Sequence, residues 1–289
     1  MNNKVLIGSA SGWGAQIRET ELGPKALQSF LTNKNYLWDS IIWPKYSCAS
    51  YTSFTTVDAI PLVYDHVKRL ASHTSKAVQH NKFPIVIGGD HACAIGTWSG
   101  VISALQAEGE FGLIWIDAHM DSHTLSTSPS GAYHGMPVAS LLGQGEKDCS
   151  ELLTAKAKVS PKHICLIGIR SYEAGEEDLL KKLGVRIYKM PEIKQRGFNE
   201  VYKEAIEIAK NGTKGYGISI DLDAFDPQDA PGVGSREKGG LRKDEVLPSL
   251  KNGYKDSKLK ALEIAEFNPK RDVNNKTAKL VEDILEAFL

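Results

Sequence analysis

Two carboxylates and an imidazole lie within five residues of one another, in Asp117, His119 and Asp121. They follow the apolar segment 113–116, a pattern typical of a buried strand that ends in a loop. Because alternate side chains of an extended segment point the same way, the three side chains can converge on one point. Oxygen and nitrogen donors without sulfur suit a hard or borderline divalent cation, although a solvated loop would contain the same residues.

The same arrangement recurs at two other places in the chain. Residues 88–91 read Gly-Gly-Asp-His and follow the apolar segment 84–87, while residues 221–223 read Asp-Leu-Asp and follow the segment 217–220. Open α/β folds build their sites at the carboxyl edge of a parallel sheet, where such strand ends meet. Three acidic or histidine-bearing strand ends therefore favour a metal centre over a set of solvated loops.

The elements that must position these side chains alternate along the chain. Segments with strand patterns are residues 4–8, 40–43, 84–87, 112–116, 163–167, 185–188, 216–220 and 261–265. Segments with helical patterns are residues 22–30, 60–80, 93–107, 135–142, 175–183, 198–210, 243–251 and a closing helix from 276. Neither a linker nor a repeat interrupts this alternation. We expect one three-layer α/β/α domain over residues 1–289, with a mostly parallel sheet of about eight strands.

Composition excludes several classes of protein. The 289 residues include 42% hydrophobic and 24% charged residues, and the 35 basic residues equal the 35 acidic ones. Such a balance, without a basic patch, argues against nucleic-acid binding. No apolar stretch approaches the roughly 20 residues needed to cross a bilayer, and residues 1–7 contain no signal-peptide pattern. We expect a cytoplasmic protein that does not bind membranes, with four reduced, structural cysteines: Cys48, Cys93, Cys149 and Cys165.

Five motifs together resemble those of the ureohydrolase family, which contains arginases, agmatinases and formiminoglutamases. The likeness extends over essentially the whole chain and is strongest to arginases. The motifs, in chain order, are Gly88-Gly89-Asp90-His91, Asp117-Ala118-His119-x-Asp121, His134-Gly135, Ser219-Ile220-Asp221-Leu222-Asp223 and Glu266-Phe267-Asn268-Pro269.

The resemblance implies a site for two Mn²⁺ ions that share ligands. One ion would be held by His91, Asp117, Asp121 and Asp221. The other would be held by Asp117, His119, Asp221 and Asp223. Hydrolysis of a guanidine requires a hydroxide near neutral pH, and two cations about 3.5–4 Å apart can lower the pKa of a bridging water enough to supply it.

Three further roles follow from the same resemblance. Asp121 would also accept a hydrogen bond from the attacking hydroxide, and His134 would pass a proton to the leaving amine, which leaves readily only once protonated. Glu266 matches a carboxylate that pairs with the planar guanidinium of the substrate. From its spacing alone, His134 could equally be a helix-capping or core histidine.

The substrate-binding residues match the arginase pattern less closely. Glu173 and Glu176 resemble two acids that contact the α-ammonium group of arginine, although they could also be a solvated helix start. Ser130 matches a serine near the α-carboxylate. His123 stands where arginases commonly carry Asn, and Ala132 stands where another polar residue is frequent, which removes one hydrogen-bond donor.

The expected reaction is the hydrolysis of a small guanidino substrate, with L-arginine giving L-ornithine and urea. The open alternatives within the family are agmatine, guanidinobutyrate and formiminoglutamate as substrates. A single-zinc deacetylase of related fold is less compatible with six candidate ligands, and a non-catalytic member remains an alternative because fold does not fix function. The family resemblance also implies a homo-oligomer, a trimer or hexamer.

Overall fold

Eight strands pair into one sheet in the computed structural model, which describes residues 3–50, 53–105, 109–253 and 256–288. The strands are β1 (Lys4–Ser9), β2 (Trp38–Ile42), β3 (Phe83–Gly88), β4 (Phe111–Ile116), β5 (Ile164–Ile169), β6 (Arg186–Lys189), β7 (Gly215–Asp221) and β8 (Leu259–Ala265). Their order across the sheet is β2-β1-β3-β8-β7-β4-β5-β6, and each neighbouring pair of these strands is parallel. The predicted α/β fold is confirmed, and the sheet is wholly parallel where it is described.

Helices cover both faces of this sheet. They are α1 (Gly23–Phe30), α2 (Ile60–Gln79), α3 (Cys93–Leu105), α4 (Pro137–Leu141), α5 (Lys147–Ser150), α6 (Ala174–Leu183), α7 (Met190–Arg196), α8 (Phe198–Lys210), α9 (Lys243–Gly253) and α10 (Lys276–Phe288). On β4, Ile114 and Ile116 belong to the same apolar cluster as side chains of α8, whereas Leu113 and Trp115 belong to that of α3. Since side chains alternate along a strand, β4 is buried on both faces and its sequence is apolar throughout.

Local chemistry explains where the helices differ from the sequence prediction. In place of a helix over residues 135–142, a 3₁₀ turn at Tyr133–Gly135 precedes α4, which starts at Pro137, where a missing N–H costs no hydrogen bond. Helix α7 was not predicted and also begins with a proline near its first position. The end of the helix predicted at 93–107 lies outside the described residues. Among the helices that are described, none combines the length and apolar character needed to cross a membrane.

Candidate metal centre

Four adjacent strands bring acidic and histidine side chains to one edge of the sheet. The strands β3, β8, β7 and β4 lie side by side, and His91, Glu266, Asp221 and Asp117 lie at or just beyond their carboxyl ends. Backbone hydrogen bonds fix two of these ends: the N–H of Glu266 donates to the carbonyl of Gly89 at 2.8 Å, and that of His91 donates to the Glu266 carboxylate at 3.0 Å. The sheet therefore places side chains that are far apart in sequence within contact distance.

Six side chains at this edge form what we call the carboxylate–histidine cluster. Its members are His91, Asp117, His119, Asp121, Asp221 and Asp223.

In the first half of the cluster, the buried Nδ1 atom of His91 faces three carboxylates. It lies 3.1 Å from Oδ2 of Asp117, 3.1 Å from Oδ2 of Asp121 and 3.0 Å from Oδ2 of Asp221. Within the part of the chain that the structure describes, none of these contacts has hydrogen-bond geometry. One nitrogen can donate at most one proton, but a cation could accept electron pairs from all four atoms.

The second half of the cluster is built around His119. Its Nδ1 atom lies 3.1 Å from Oδ2 of Asp223 and 3.6 Å from Oδ1 of Asp117. Asp117 thus belongs to two groups of potential ligand atoms, one with His91 and Asp221 and the other with His119 and Asp223, and the atoms within each group lie no more than 4.8 Å apart. A carboxylate shared between two groups is the arrangement expected of a bridging ligand.

The buried carboxylates of the cluster require compensating positive charge. Burial and the neighbouring charge of Asp117 raise the pKa of Asp121 to about 7. Burial and the charges of Asp223 and Asp117 also raise the pKa of Asp221 well above its usual value. Buried carboxylates in such proximity repel one another unless cations or protons compensate them. The donor set of oxygen and imidazole nitrogen, together with the unpaired Nδ1 of His91, therefore fits two divalent cations.

His134 and Glu266 lie beside the cluster, as the proposed catalytic roles require. Nδ1 of His134 is 3.3 Å from Oε1 of Glu266. Burial lowers the pKa of His134, but the hydrogen bond and charge of Glu266 outweigh it and raise the pKa to about 9. Asp121 and Glu266 both have left-handed backbone conformations, with φ of 48° and 70°. Non-glycine residues hold such conformations where the surrounding structure fixes them, often at functional sites.

A second group of titratable side chains, which we call the His123 cluster, consists of His123, Glu173 and Glu176. Nε2 of His123 lies 2.9 Å from Oε2 of Glu173 and 3.4 Å from Oε2 of Glu176, and its Nδ1 is 3.1 Å from Oγ1 of Thr127. The two acids also form a capping box at the start of α6. Both sequence interpretations of these acids therefore have a structural basis, because they cap a helix and also gather around a histidine.

Both clusters face one pocket. It is lined by His119, Asp121, Asp221 and Asp223 of the carboxylate–histidine cluster and by all three residues of the His123 cluster. This pocket is also lined by His134, Ser130 and Ala132. Glu266 lies behind His134 and contacts its ring. Three further polar residues line the pocket without having been predicted from the sequence: Gln16, Ser128 and Ser235.

Two side chains behind the cluster had no role assigned from the sequence. The indole of Trp115 donates to Oδ2 of Asp117 at 2.9 Å and stacks on the ring of His91, with centroids 4.2 Å apart. Ser219 lies 2.9 Å from Nε2 of His91. Each residue lies two positions before an acidic cluster member, Asp221 at the end of β7 and Asp117 just beyond the end of β4, so the period of two could have indicated that they share its face.

Comparisons with known proteins agree with this geometry. The model of the Arginase family matches residues 2–289. The arginase of Brevibacillus brevis is 37% identical over 294 residues, which cover 99% of this chain and 97% of the relative. The crystal structure of arginase from Bacillus subtilis superposes with a TM-score of 0.88 at 32% identity, covering 99% of this chain and 98% of that one. That of Entamoeba histolytica arginase in complex with L-ornithine has a TM-score of 0.88 at 28% identity, covering 99% and 97%.

Proposed function

Since the chain belongs to the arginase family, we propose that it hydrolyses L-arginine to L-ornithine and urea. Its relatives at 31–40% identity are arginases, and the chain is accordingly a hydrolase of guanidino or amidine bonds. One observation carries the choice of substrate: the carboxylate–histidine cluster and the His123 cluster line the same pocket. A substrate with a guanidinium at one end and an α-ammonium at the other would contact both.

We infer that the carboxylate–histidine cluster holds two Mn²⁺ ions. Carboxylate and imidazole donors suit manganese, and soft thiolate ligands would favour zinc or copper. His91, Asp117, Asp121 and Asp221 would hold one ion. Asp117, His119, Asp221 and Asp223 would hold the other. When bound, the pair of ions supplies an activated water molecule at neutral pH.

The remaining steps belong to side chains of this chain. Asp121 accepts a hydrogen bond from the attacking water and aligns it with the guanidinium carbon. Glu266 pairs with the guanidinium, which holds the planar cation in a fixed orientation. His134, whose Nδ1 is 3.3 Å from Glu266, gives a proton to the amine nitrogen as the carbon–nitrogen bond breaks. The raised pKa of His134, about 9, keeps that proton available near neutral pH.

At the other end of the pocket, Glu173 and Glu176 bind the α-ammonium group. The α-carboxylate is bound by Ser130 and by His123, which can donate through a ring nitrogen. One observation favours agmatine as a second candidate substrate. Ala132 lines the pocket with no polar side chain, and agmatine has no α-carboxylate that would need such a donor.

Three broader properties complete the proposal. We infer a homo-oligomer, a trimer or hexamer, from the family resemblance, and one functional domain over residues 1–289. A cytoplasmic location is supported by the four cysteines, which are all free and buried and thus suited to a reducing compartment.

A substrate panel tests the proposal. The protein is treated with a chelator, reloaded with Mn²⁺ and offered L-arginine, agmatine, guanidinobutyrate and formiminoglutamate, and urea and amine products are quantified. We expect chelation to abolish turnover, Mn²⁺ to restore it, and L-arginine to give urea with ornithine. Urea with putrescine would establish agmatine as the substrate instead. Full restoration by Mg²⁺ alone would contradict the manganese assignment.

A further inference from the structure

A buried hydrogen-bonded chain leads away from the carboxylate–histidine cluster through the far side of His91. The Nε2 atom of His91 is 2.9 Å from Oγ of Ser219. The hydroxyl of Ser219 donates to Oε1 of Glu263 at 2.8 Å. Ser219 and Glu263 are direct cross-strand partners on β7 and β8, so the pairing of these strands sets the geometry of the chain.

Glu263 occupies an unusual position for a carboxylate. Its side chain is fully buried, and so is that of Ser219. The second oxygen of Glu263 accepts a hydrogen bond from the thiol of Cys93 at 3.6 Å, and Oε1 lies 3.8 Å from Nε2 of His91. Burying a carboxylate in the centre of a parallel sheet costs free energy that an apolar side chain would not cost. The position therefore calls for a functional reason.

The positions of the protons along this hydrogen-bonded chain provide that reason. A hydroxyl carries one proton, and that of Ser219 is donated to Oε1 of Glu263 at 2.8 Å. The oxygen of Ser219 is then left to accept from His91, which places the ring proton on Nε2. Nδ1 consequently carries a lone pair, and this is the atom that faces the carboxylates of Asp117, Asp121 and Asp221 at 3.0–3.1 Å.

The ring of His91 is held in a second direction as well. Trp115 stacks on its face with an interplanar angle of 15°, while Ser219 fixes its edge. Stacking restrains the plane of the imidazole but does not select which nitrogen is protonated. The hydrogen bond to Ser219 restrains the ring and also selects the nitrogen that is protonated.

We propose that Ser219 and Glu263 are positioning residues that fix the tautomer and orientation of His91 for metal binding. The inference rests on the proposed two-cation function of the cluster. Histidine ligands commonly donate their other N–H to such a partner, and loss of the partner typically lowers metal affinity about 10- to 100-fold. The chain Nε2–H to Ser219 to Glu263 provides this partner through an intervening hydroxyl.

Metal affinity, measured independently of turnover, tests the proposal. Metal-free parent protein and variants are titrated with Mn²⁺, and free Mn²⁺ is followed by its EPR signal. We expect Ser219→Ala to weaken one of the two sites about 10- to 100-fold. Glu263→Gln preserves the shape of the side chain but removes its charge, and we expect it to weaken the same site. Ser219→Thr retains the hydroxyl and should bind more tightly than Ser219→Ala.

Ser140→Ala is the matched control, because Ser140 is also buried and its hydroxyl also donates one hydrogen bond, to the carbonyl of Met136. We expect it to retain the affinity of the parent. If Ser219→Ala and Glu263→Gln both bind two ions as tightly as the parent, the positioning role is wrong and the proposed function stands. If the parent itself does not bind two ions, the proposed function and this inference are both overturned. Should Ser219→Ala fail to fold, Glu263→Gln alone decides, because it is isosteric.

Discussion

The carboxylate–histidine cluster lies on the ends of buried parallel strands, whereas the His123 cluster joins a surface loop to the first turn of α6. Three of the six side chains in the first cluster, those of Asp117, Asp221 and Asp223, belong to β7 or lie within two residues of the end of β4 or β7, and these two strands pair with each other. In the second, Glu173 has a side chain that is 61% exposed. The first cluster is thus positioned by the sheet, and the second by a loop, by the helix cap that Glu173 and Glu176 form and by contacts among its own side chains.

This difference separates chemistry from substrate choice. A reaction that needs several ligand atoms around one point requires a rigid support, and the sheet provides it. Recognition of the α-amino and α-carboxylate groups can change by substitution in a loop without moving the cations. The departures from the arginase pattern at His123 and Ala132 both lie in the loop, while the motifs at the strand ends match the family.

Among substitutions in the two clusters, we expect the largest loss of activity at Asp121. Asp121→Asn removes a carboxylate that contacts His91 at 3.1 Å and that, in the proposed function, orients the attacking water. We expect kcat to fall about 10³-fold or more with little change in melting temperature, measured by urea release and circular dichroism. Asp178→Asn, on the exposed face of α6, is the control and should retain activity. A loss of less than tenfold in Asp121→Asn would remove the carboxylate from its assigned role.

The first cluster could be predicted from sequence more fully than the second. The period of two after an apolar segment indicated Asp117, His119 and Asp121 directly, because strand geometry alone brings them together. The contact of His123 with Glu173 joins residues 50 positions apart and depends on where a loop lies over a helix. No local pattern specifies it.

The sheet order shows a similar limit. Strand β8 inserts between β3 and β7, although these strands are distant in sequence. Parallel pairing is non-local, so the alternating pattern predicts the elements but not their neighbours. The pair Ser219 and Glu263 was missed for this reason: each residue reads as a polar interruption of an apolar strand until β7 and β8 are placed side by side.

His134 lines the pocket that both clusters face and should give the next largest effect. If it protonates the leaving amine as proposed, His134→Asn is expected to lower kcat about 10²-fold while KM for L-arginine changes little. Steady-state kinetics with a coupled urea assay measure both values. His80→Asn, at the exposed end of α2, provides a control. An unchanged kcat in His134→Asn would show that another group transfers the proton.

Glu176 connects the His123 cluster to the fold and should affect both binding and stability. Its buried carboxylate accepts from the N–H groups of Ser122 and Glu173, both at 3.1 Å. Glu176→Gln should raise KM for L-arginine about tenfold and lower the free energy of unfolding by about 1 kcal/mol. Glu173→Gln, with its more exposed side chain, should raise KM with a smaller loss of stability. Equal stability losses in the two variants would contradict the distinction between these acids.

The smallest effect is expected at His123, where substrate choice can be separated from catalysis. Nε2 of His123 lies 2.9 Å from Oε2 of Glu173, so an α-ammonium that binds Glu173 would compete with His123 for that carboxylate. The released ring can then donate to the α-carboxylate, a contact that agmatine cannot make. One hydrogen bond of about 0.5–1.5 kcal/mol corresponds to roughly a 2- to 10-fold preference.

His123→Ala should therefore reduce the ratio of kcat/KM for L-arginine over agmatine by about 2- to 10-fold. His123→Asn retains a donor at the same position and should keep most of that ratio. Both variants should retain the Mn²⁺ affinity of the parent, because neither substitution changes any of the six proposed metal ligands. If His123→Ala leaves the ratio unchanged, the histidine does not select the substrate. If it weakens Mn²⁺ binding instead, the two clusters are coupled. The carboxylate–histidine cluster and the His123 cluster would then not divide catalysis from substrate recognition.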